Sequence, residues 1–538
     1  MGRLGERHPL AKVLAEFKRT YGDVWLNLGW AGKRESRRFV DALLDVEPNR
    51  LGEGFRAALF RRTGGHPLFT VELLGAMRER GDLRQDADGA WIAGATLDWE
   101  VLPARVEAVI KERVDRLDSN LQDILATASV EGELFTGQVL AEVMEVPERS
   151  LLRQLSGDLE RRHGLVREQE EIFTGQRRLS RYQFSHIVFQ DYLYQRLSRG
   201  ERRLLHGEVA NALEALHEGQ LDEMAVQLAQ HYYQAGDYQQ AFYYNTLAGE
   251  RAARLFESRE AITHYTRAIK LADDVHTDID SLVKLHRGRG LACETIGEFE
   301  QARADYEVIL QIARATGERQ IEWRALIDLG KLWRSRDYDQ TRGCFETALE
   351  LAQQIGDPLL LADSLNWLGN WYANDEKHLQ AVEYHQKALN ILEDLGDRQD
   401  LAVTLDLLGI SSLLGDDLYA SLHYYDRAIL LNRELNDHSG LVSSLIGRAT
   451  IVSVLVNLGV IPVIPPPDAV LDFEEALRIA GEIDSASDQA WAYWSLGMFN
   501  TVHGHFESAL ENGQNSLRIA SNIGHREYAV GARSVLGR

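Results

Sequence analysis

A ladder with a period near forty residues runs through the second half of the chain, and it constrains the fold more than any other feature. Its rungs begin at Ala268, Ile309, Ala348, Ala388, Ala428, Ala476 and Ser516, with spacings of 41, 39, 40, 40, 48 and 40. They read alike, as in AIKLADD, ALELAQQIGD, ALNILEDLGD and ALRIAGEIDS. Self-similarity at such a period marks a solenoid, whose repeats cannot bury their apolar faces alone and therefore stack. Three residues ahead of the rungs stand Tyr265, Tyr306, Phe345, His385, Tyr425 and Phe473, then Gly513. An earlier helix in each repeat carries a small residue, in Leu329-Gly330, Leu368-Gly369, Leu408-Gly409, Ile446-Gly447, Leu496-Gly497 and Leu536-Gly537. The expectation is helix pairs that close at the glycine, with the ring filling the gap beside it.

The long spacing of 48 falls where VIPVIPPPD is inserted, and a protruding loop is expected at about 457–468. Three prolines in a row there favour a polyproline II segment that cannot join a helix. Leu536-Gly537 reads as the small-residue step of one more first helix without its partner helix. A frayed last turn with exposed apolar groups near Val530 and Leu536 is expected.

A chain of 538 residues is too long for one core. Its net charge of −23 disfavours nonspecific contact with nucleic acid or anionic membranes. Two cysteines, Cys293 and Cys344, allow no disulfide framework and no CxxC metal site. The first twenty residues lack a signal-peptide core, and the greasiest run, Ile451 to Pro467, is too short to span a bilayer. The reading is a soluble cytoplasmic protein with no membrane partner.

Ahead of the ladder the pattern is mixed. DVWLNL from Asp23 is a strand candidate, followed by helices at about 35–46, 52–63 and 67–80, with Gly64, Gly65 and Pro67 breaking the chain before the last. A hairpin or loop is expected over 82–98. Pro103 opens an amphipathic helix, Asp118 or Ser119 caps the next, and two more follow near 136–144 and 148–162. Two short strands, 164–171 and 177–185, then flank the turn at Thr174-Gly175, and helices resume with HIVFQDYLYQRL and ERRLLHGEVANALEAL. Helices followed by a hairpin make a winged-helix pattern. Arg161, Arg162, Arg177, Arg178 and Arg181 gather there, but Glu160, Glu168, Glu170 and Glu171 interleave with them. GWAGKRES, from Gly29, fails as a phosphate loop because Arg34 stands where GxxxxGK[ST] needs a hydroxyl. No strand ending in paired acids, GxSxG or HExxH motif is found. His378 with His385, and His503 with His505, lack a third ligand at recognisable spacing. No catalytic residue or metal ligand is assigned.

GDYQQA at 236–241 and GEFEQA at 297–302, together with the ladder, resemble the tetratricopeptide repeat over roughly residues 220–538. TGGHPLFTVELLGAM (63–77), LPARVEAVIKERVDRL (102–117) and YQFSHIVFQDYLY (182–194) resemble the second half of the STAND-type signal-transduction ATPase module. That module is the kind fused to class III nucleotide cyclases and bacterial transcription activators. The resemblance implies a mainly α chain. Residues 1–34 would end an α/β ATPase core, 35–100 form a small helical domain, 101–218 a winged helix and 219–538 a tetratricopeptide-repeat superhelix. It implies that Gly65, His66 and Pro67 are a GxP motif whose proline lies against a nucleotide base, and that His186 senses the nucleotide's phosphates. ATP or ADP would be the cofactor of the full-length relative, held against an upstream P-loop domain that hydrolyses ATP slowly. Without that domain neither nucleotide is expected to bind this chain tightly, nor is the chain alone expected to be an enzyme. The implied function is the regulatory and sensor portion of such an ATPase, binding a protein, peptide or small-molecule effector in the repeat groove. Two alternatives fit the same sequence: a non-enzymatic repeat scaffold for protein–protein interaction, and a winged-helix DNA-binding regulator. DNA is not the expected partner.

Overall fold

The computed structural model describes residues 33–94, 97, 99, 104–174, 177–334, 336–457 and 467–537. The strand expected at 23–28, the glycines of GWAGKRES and nearly all of the loop at 457–468 lie outside the described residues. The chain divides into two compact units, with the change at Thr277/Asp278.

The first unit opens with α1 (Lys33–Leu44), α2 (Glu53–Thr63) and α3 (Pro67–Arg80), close to the helices read from the sequence. Val40, Leu59, Leu73, Met77 and Leu83 are buried together between them. β1 (Leu83–Gln85) and β2 (Trp91–Ala93) form the expected hairpin, with Leu83 opposite Ala93. α4 (Ala104–Asp115) and α5 (Ser119–Glu131) follow, and the Asp118 carboxylate accepts from Leu121 N at 2.9 Å to cap α5. Next come β3 (Leu134–Thr136), α6 (Gly137–Val143), α7 (Glu148–Arg153) and a π-helical stretch (Gln154–Arg162). The sequence reading had one helix over 148–162 and no strand at 134–136. β4 (Val166–Thr174) and β5 (Arg177–Phe184) make a three-stranded antiparallel sheet in the order β3-β5-β4. Phe135, Tyr182 and Phe184 point from this sheet into a core with Ile110, Ile124, Leu155 and Phe189. α8 (Ile187–Arg196) and α9 (Arg199–Leu216) come after it; Ser198 and Glu201 form a reciprocal capping box at the start of α9. Helix pairing then begins with α10 (Leu221–Ala235), α11 (Tyr238–Arg254) and α12 (Ser258–Ala272).

The second unit consists, among its described residues, of helices: α13 (Ile279–Ile296), α14 (Phe299–Thr316), α15 (Arg319–Trp333), α16 (Tyr338–Ile355), α17 (Pro358–Asn374), α18 (His378–Leu395), α19 (Arg398–Leu414), α20 (Leu418–Leu435), α21 (His438–Asn457), α22 (Pro467–Glu482), α23 (Ala486–Val502), α24 (Phe506–Asn522) and α25 (Arg526–Leu536). Each packs on its neighbours in sequence. Pro467, the third proline of the insertion, opens α22. The first helical position is where a proline's missing N–H is not needed, so it joins the helix after all.

The glycine-and-ring expectation holds through five repeats. A Cβ on Gly249 would stand 2.8 Å from the Tyr265 ring, on Gly290 2.6 Å from Tyr306, on Gly369 2.6 Å from His385 and on Gly409 2.7 Å from Tyr425; Phe345 covers Gly330 in the same way. Beyond Tyr425 the pattern changes. Gly447 is covered by Tyr425 of the preceding repeat, and Phe473 instead packs on Phe499 at 5.7 Å. In the last repeats Gly497 meets Val535, Gly531 faces Trp494, and Leu536 lies over Gly513 at 3.0 Å. Val530 is exposed as expected, but Leu536 is half-buried because Gly513, with no ring of its own, leaves room for it.

Candidate functional site

In the first unit, two segments far apart in sequence meet at the start of α3. α2 ends at Thr63, and Gly64 and Gly65 take φ of +58° and +71°, which side chains with a Cβ avoid. The Gly65 N–H donates to Thr63 Oγ1 at 3.2 Å, and the Thr70 hydroxyl donates to His66 O at 2.9 Å. His66 is the cap residue of α3 and Pro67 its first helical residue, exposed to solvent. The His66 ring stacks on Phe69 at 4.4 Å and meets the His186 ring edge-on at 5.3 Å. His186, the cap residue of α8, places Nδ1 3.0 Å from the position of a Cβ on Gly64, so glycine there serves both the turn and the close approach.

Gly65, His66, Pro67 and His186 are thus brought together. The Nδ1 atoms of both imidazoles are buried without a hydrogen-bond partner among the described residues. Burial, then the Arg113 charge, lowers His66 below the usual histidine range. Burial, then His66, Arg167 and Arg113, pushes His186 down to about 4. Both rings are therefore neutral at pH 7, each with one N–H donor and one acceptor nitrogen.

Three neighbours were not singled out in the sequence. Arg62 forms an ion pair with Asp191, joining the end of α2 to α8. Phe69 lies between the two histidines, 5.4 Å from the His186 ring. Arg113 lies over Phe189 at 5.0 Å and donates to His163 O at 3.0 Å. Nothing separates Arg62 or Arg113 from the chain's other arginines until the fold sets them beside the histidines. On the hairpin, Arg178 pairs with Glu171 at 3.4 Å and lies over Phe173 at 5.2 Å. The acids that interleave with the arginines in sequence are their partners in space.

In the second unit, buried polar pairs join the repeats. Arg287 donates to Asp328 at 2.6 Å, and Asp305 accepts from Arg289 at 2.6 Å and contacts His286 at 2.7 Å. Lys331 lies 4.2 Å over the Trp367 ring, and burial lowers its pKa. At the α15–α16 turn, against the second half of α17, is a pocket of about 230 Å³ lined by Arg334, Phe345, Trp367, Asn370, Trp371 and Asn374. Its rings belong to the ladder positions, so the sequence carried the ingredients but not their convergence. Of the four histidines weighed as ligands, His385 is fully buried against Asn366, and His503 Nδ1 bonds Phe499 O at 2.8 Å. Among the described residues no cluster of three His, Cys, Asp or Glu could hold a metal, and no helix is long and apolar enough to cross a membrane.

Residues 330–394 match the tetratricopeptide repeat family. No curated protein matches the chain. Among solved structures, the chain is similar to a Signal Transduction ATPase with Numerous Domains carrying a tetratricopeptide repeat sensor, from Pyrococcus horikoshii. Identity is 12%, coverage 94% of this chain and 74% of that one, and the TM-score 0.40. It is similar to aspartyl phosphate phosphatase F from Bacillus subtilis at 11% identity, over 79% of this chain and 96% of that one, with a TM-score of 0.45. It is also similar to the apo form of the quorum sensor NprR from B. thuringiensis at 12% identity, over 77% and 99% of the two chains, with a TM-score of 0.42.

Proposed function

We propose that this chain is the regulatory and sensor portion of a STAND-type signal-transduction ATPase. The helix pairs receive a protein, peptide or small-molecule effector. The segment from α4 to α9, read as a winged helix, relays that event to the nucleotide state. The observation that carries the reading is the contact between His66 and His186. The two motifs that the sequence marked for nucleotide contact stand ring to ring, with buried, unpartnered Nδ1 atoms.

These residues fit ATP or ADP. Two neutral imidazoles offer polar atoms that nothing else among the described residues satisfies, and an unsatisfied buried polar group costs about 1–3 kcal/mol. Pro67 presents an exposed ring at the start of α3, suited to one face of a base. Phe69, packed against both imidazoles, fixes their planes. The Arg62–Asp191 pair and the Arg113 bond to His163 O hold α2, α4 and α8 in the arrangement that keeps the histidines together. The nucleotide would supply the phosphate charge; Mg²⁺ and hydrolysis would come from the upstream P-loop domain.

Titration calorimetry of ADP into the polypeptide extended upstream through its P-loop domain tests this. One ADP is expected to bind, weakened about ten-fold or more by His186→Ala. No binding, or the same affinity in the His66→Ala and His186→Ala variants, overturns the reading.

A further inference from the structure

We propose that the pocket at the α15–α16 turn receives the C-terminal residue of a peptide effector, its apolar side chain among the rings and its carboxylate on Arg334. This rests on the reading of the repeats as the effector-binding part and names the effector's chemistry.

Size is the first argument. The pocket holds about 230 Å³, below the roughly 300–1,000 Å³ typical of small-molecule and cofactor sites. It suits one side chain of a longer partner. Its wall is aromatic: Phe345 and Trp367 stand 5.8 Å apart and Trp371 completes it. Trp371 is itself anchored, donating its Nε1–H to Tyr338 O at 3.0 Å. An apolar side chain gains most on such a surface.

Charge is the second argument. In a protein of net charge −23 the cations near this turn are mostly paired. Arg342 stands 3.7 Å from Asp339, and Lys377 2.7 Å from Asp375. Arg334 is exposed on the pocket wall and makes no ion pair among the described residues. The side-chain amides of Asn370 and Asn374, also on the wall, bond to nothing among the described residues. A planar guanidinium takes a carboxylate through two parallel N–H···O bonds. A carboxamide both donates and accepts, so it can hold the last peptide unit. An apolar wall beside one free guanidinium and two free amides matches a bulky apolar residue that ends a chain.

Fluorescence anisotropy with the full chain and fluorescein-labelled tetraalanyl-phenylalanine, as free acid and as C-terminal amide, tests the assignment. The free acid is expected to bind about ten-fold tighter than the amide. Arg334→Ala should abolish that preference and leave the amide's affinity unchanged, while Trp367→Ala should weaken both peptides. Arg334 is exposed, so its variant should keep the circular dichroism spectrum. No saturable binding at about 1 mM peptide, equal affinity for acid and amide, or a preference that survives Arg334→Ala overturns the proposal. A peptide amide with glutamate before the phenylalanine that binds as well as the free acid also overturns it, because a side-chain carboxylate would then suffice. ADP binding with no peptide binding sinks this inference alone; the converse sinks the switch and leaves the pocket.

Discussion

The glycines of the ladder are not equivalent, and the difference lies in what stands over each. Gly330 lies under the Phe345 ring so closely that a Cβ has no room. Gly343, on the exposed side of α16, has nothing within 4 Å. Overpacking a close helix contact costs about 1–3 kcal/mol. Replacing a helix-interior glycine by alanine in open space stabilises by about 1 kcal/mol. Gly330→Ala should therefore lower the urea midpoint and Gly343→Ala should raise it. If both substitutions move the midpoint the same way, the ring does not set the helix approach. The distinction follows from the ladder itself, because Gly330 keeps register with a ring in every nearby repeat and Gly343 keeps register with none.

At the scale of elements, His385 is the case where the ladder's ring became an imidazole. It covers Gly369 of α17 from α18, and its Nδ1 meets Asn366 Oδ1 at 3.0 Å. The Asn366 amide donates to Thr404 Oγ1 at 2.8 Å, so one polar chain ties α17, α18 and α19. Its Nε2 is buried with no partner among the described residues, and burial pushes its pKa from the ordinary 6.5 down to about 4. Between those values the unfolded chain binds the proton and the folded one does not. This contribution is thus complete above pH 6.5 and is lost as pH falls toward 4, by at most about 1.4 kcal/mol per pH unit. His385→Phe, which restores the ring used at Phe345, should flatten the acid limb of the stability curve by up to about one proton, whatever it costs at neutral pH by stranding Asn366. An unchanged slope would show that His385 titrates normally. Much of the helix pairing was legible because glycine, ring and alanine recur at one period. β3 was not, since three residues between helices make no alternation to read; its strand state is set by pairing with β5. Nor was the π-helical turn after α7, which depends on packing of Leu155 and Leu159 rather than on local propensity. At the histidine site, the sequence marked His66 and His186 separately; that Arg62 and Phe69 frame them is a consequence of the tertiary fold.

Over the whole molecule, charge decides between the remaining functions. DNA binding by a winged helix needs several cations free to displace counterions from phosphates, and each released ion steepens the salt dependence. Here the molecule carries −23, and hairpin cations are spoken for: Arg178 lies between Glu171 and Phe173. Arg162 stands 3.8 Å from Asp158, and Arg196 3.8 Å from Asp115. Freeing them would mean breaking exposed pairs worth only about 0–1 kcal/mol each, so the pairs alone are a weak barrier. The long-range repulsion between two polyanions is the stronger one, and it is screened beyond about 8 Å at physiological salt. The expectation is therefore specific to ionic strength. In a gel-shift experiment at about 150 mM salt, the protein should leave a short duplex unshifted. Lowering salt should bring no binding either, because the repulsion then reaches further. A shift that strengthens as salt falls, and disappears when Arg177 and Arg178 are replaced by glutamate, would show that the hairpin's local field overrides the molecule's net charge and would make the winged segment a DNA reader instead of an internal relay.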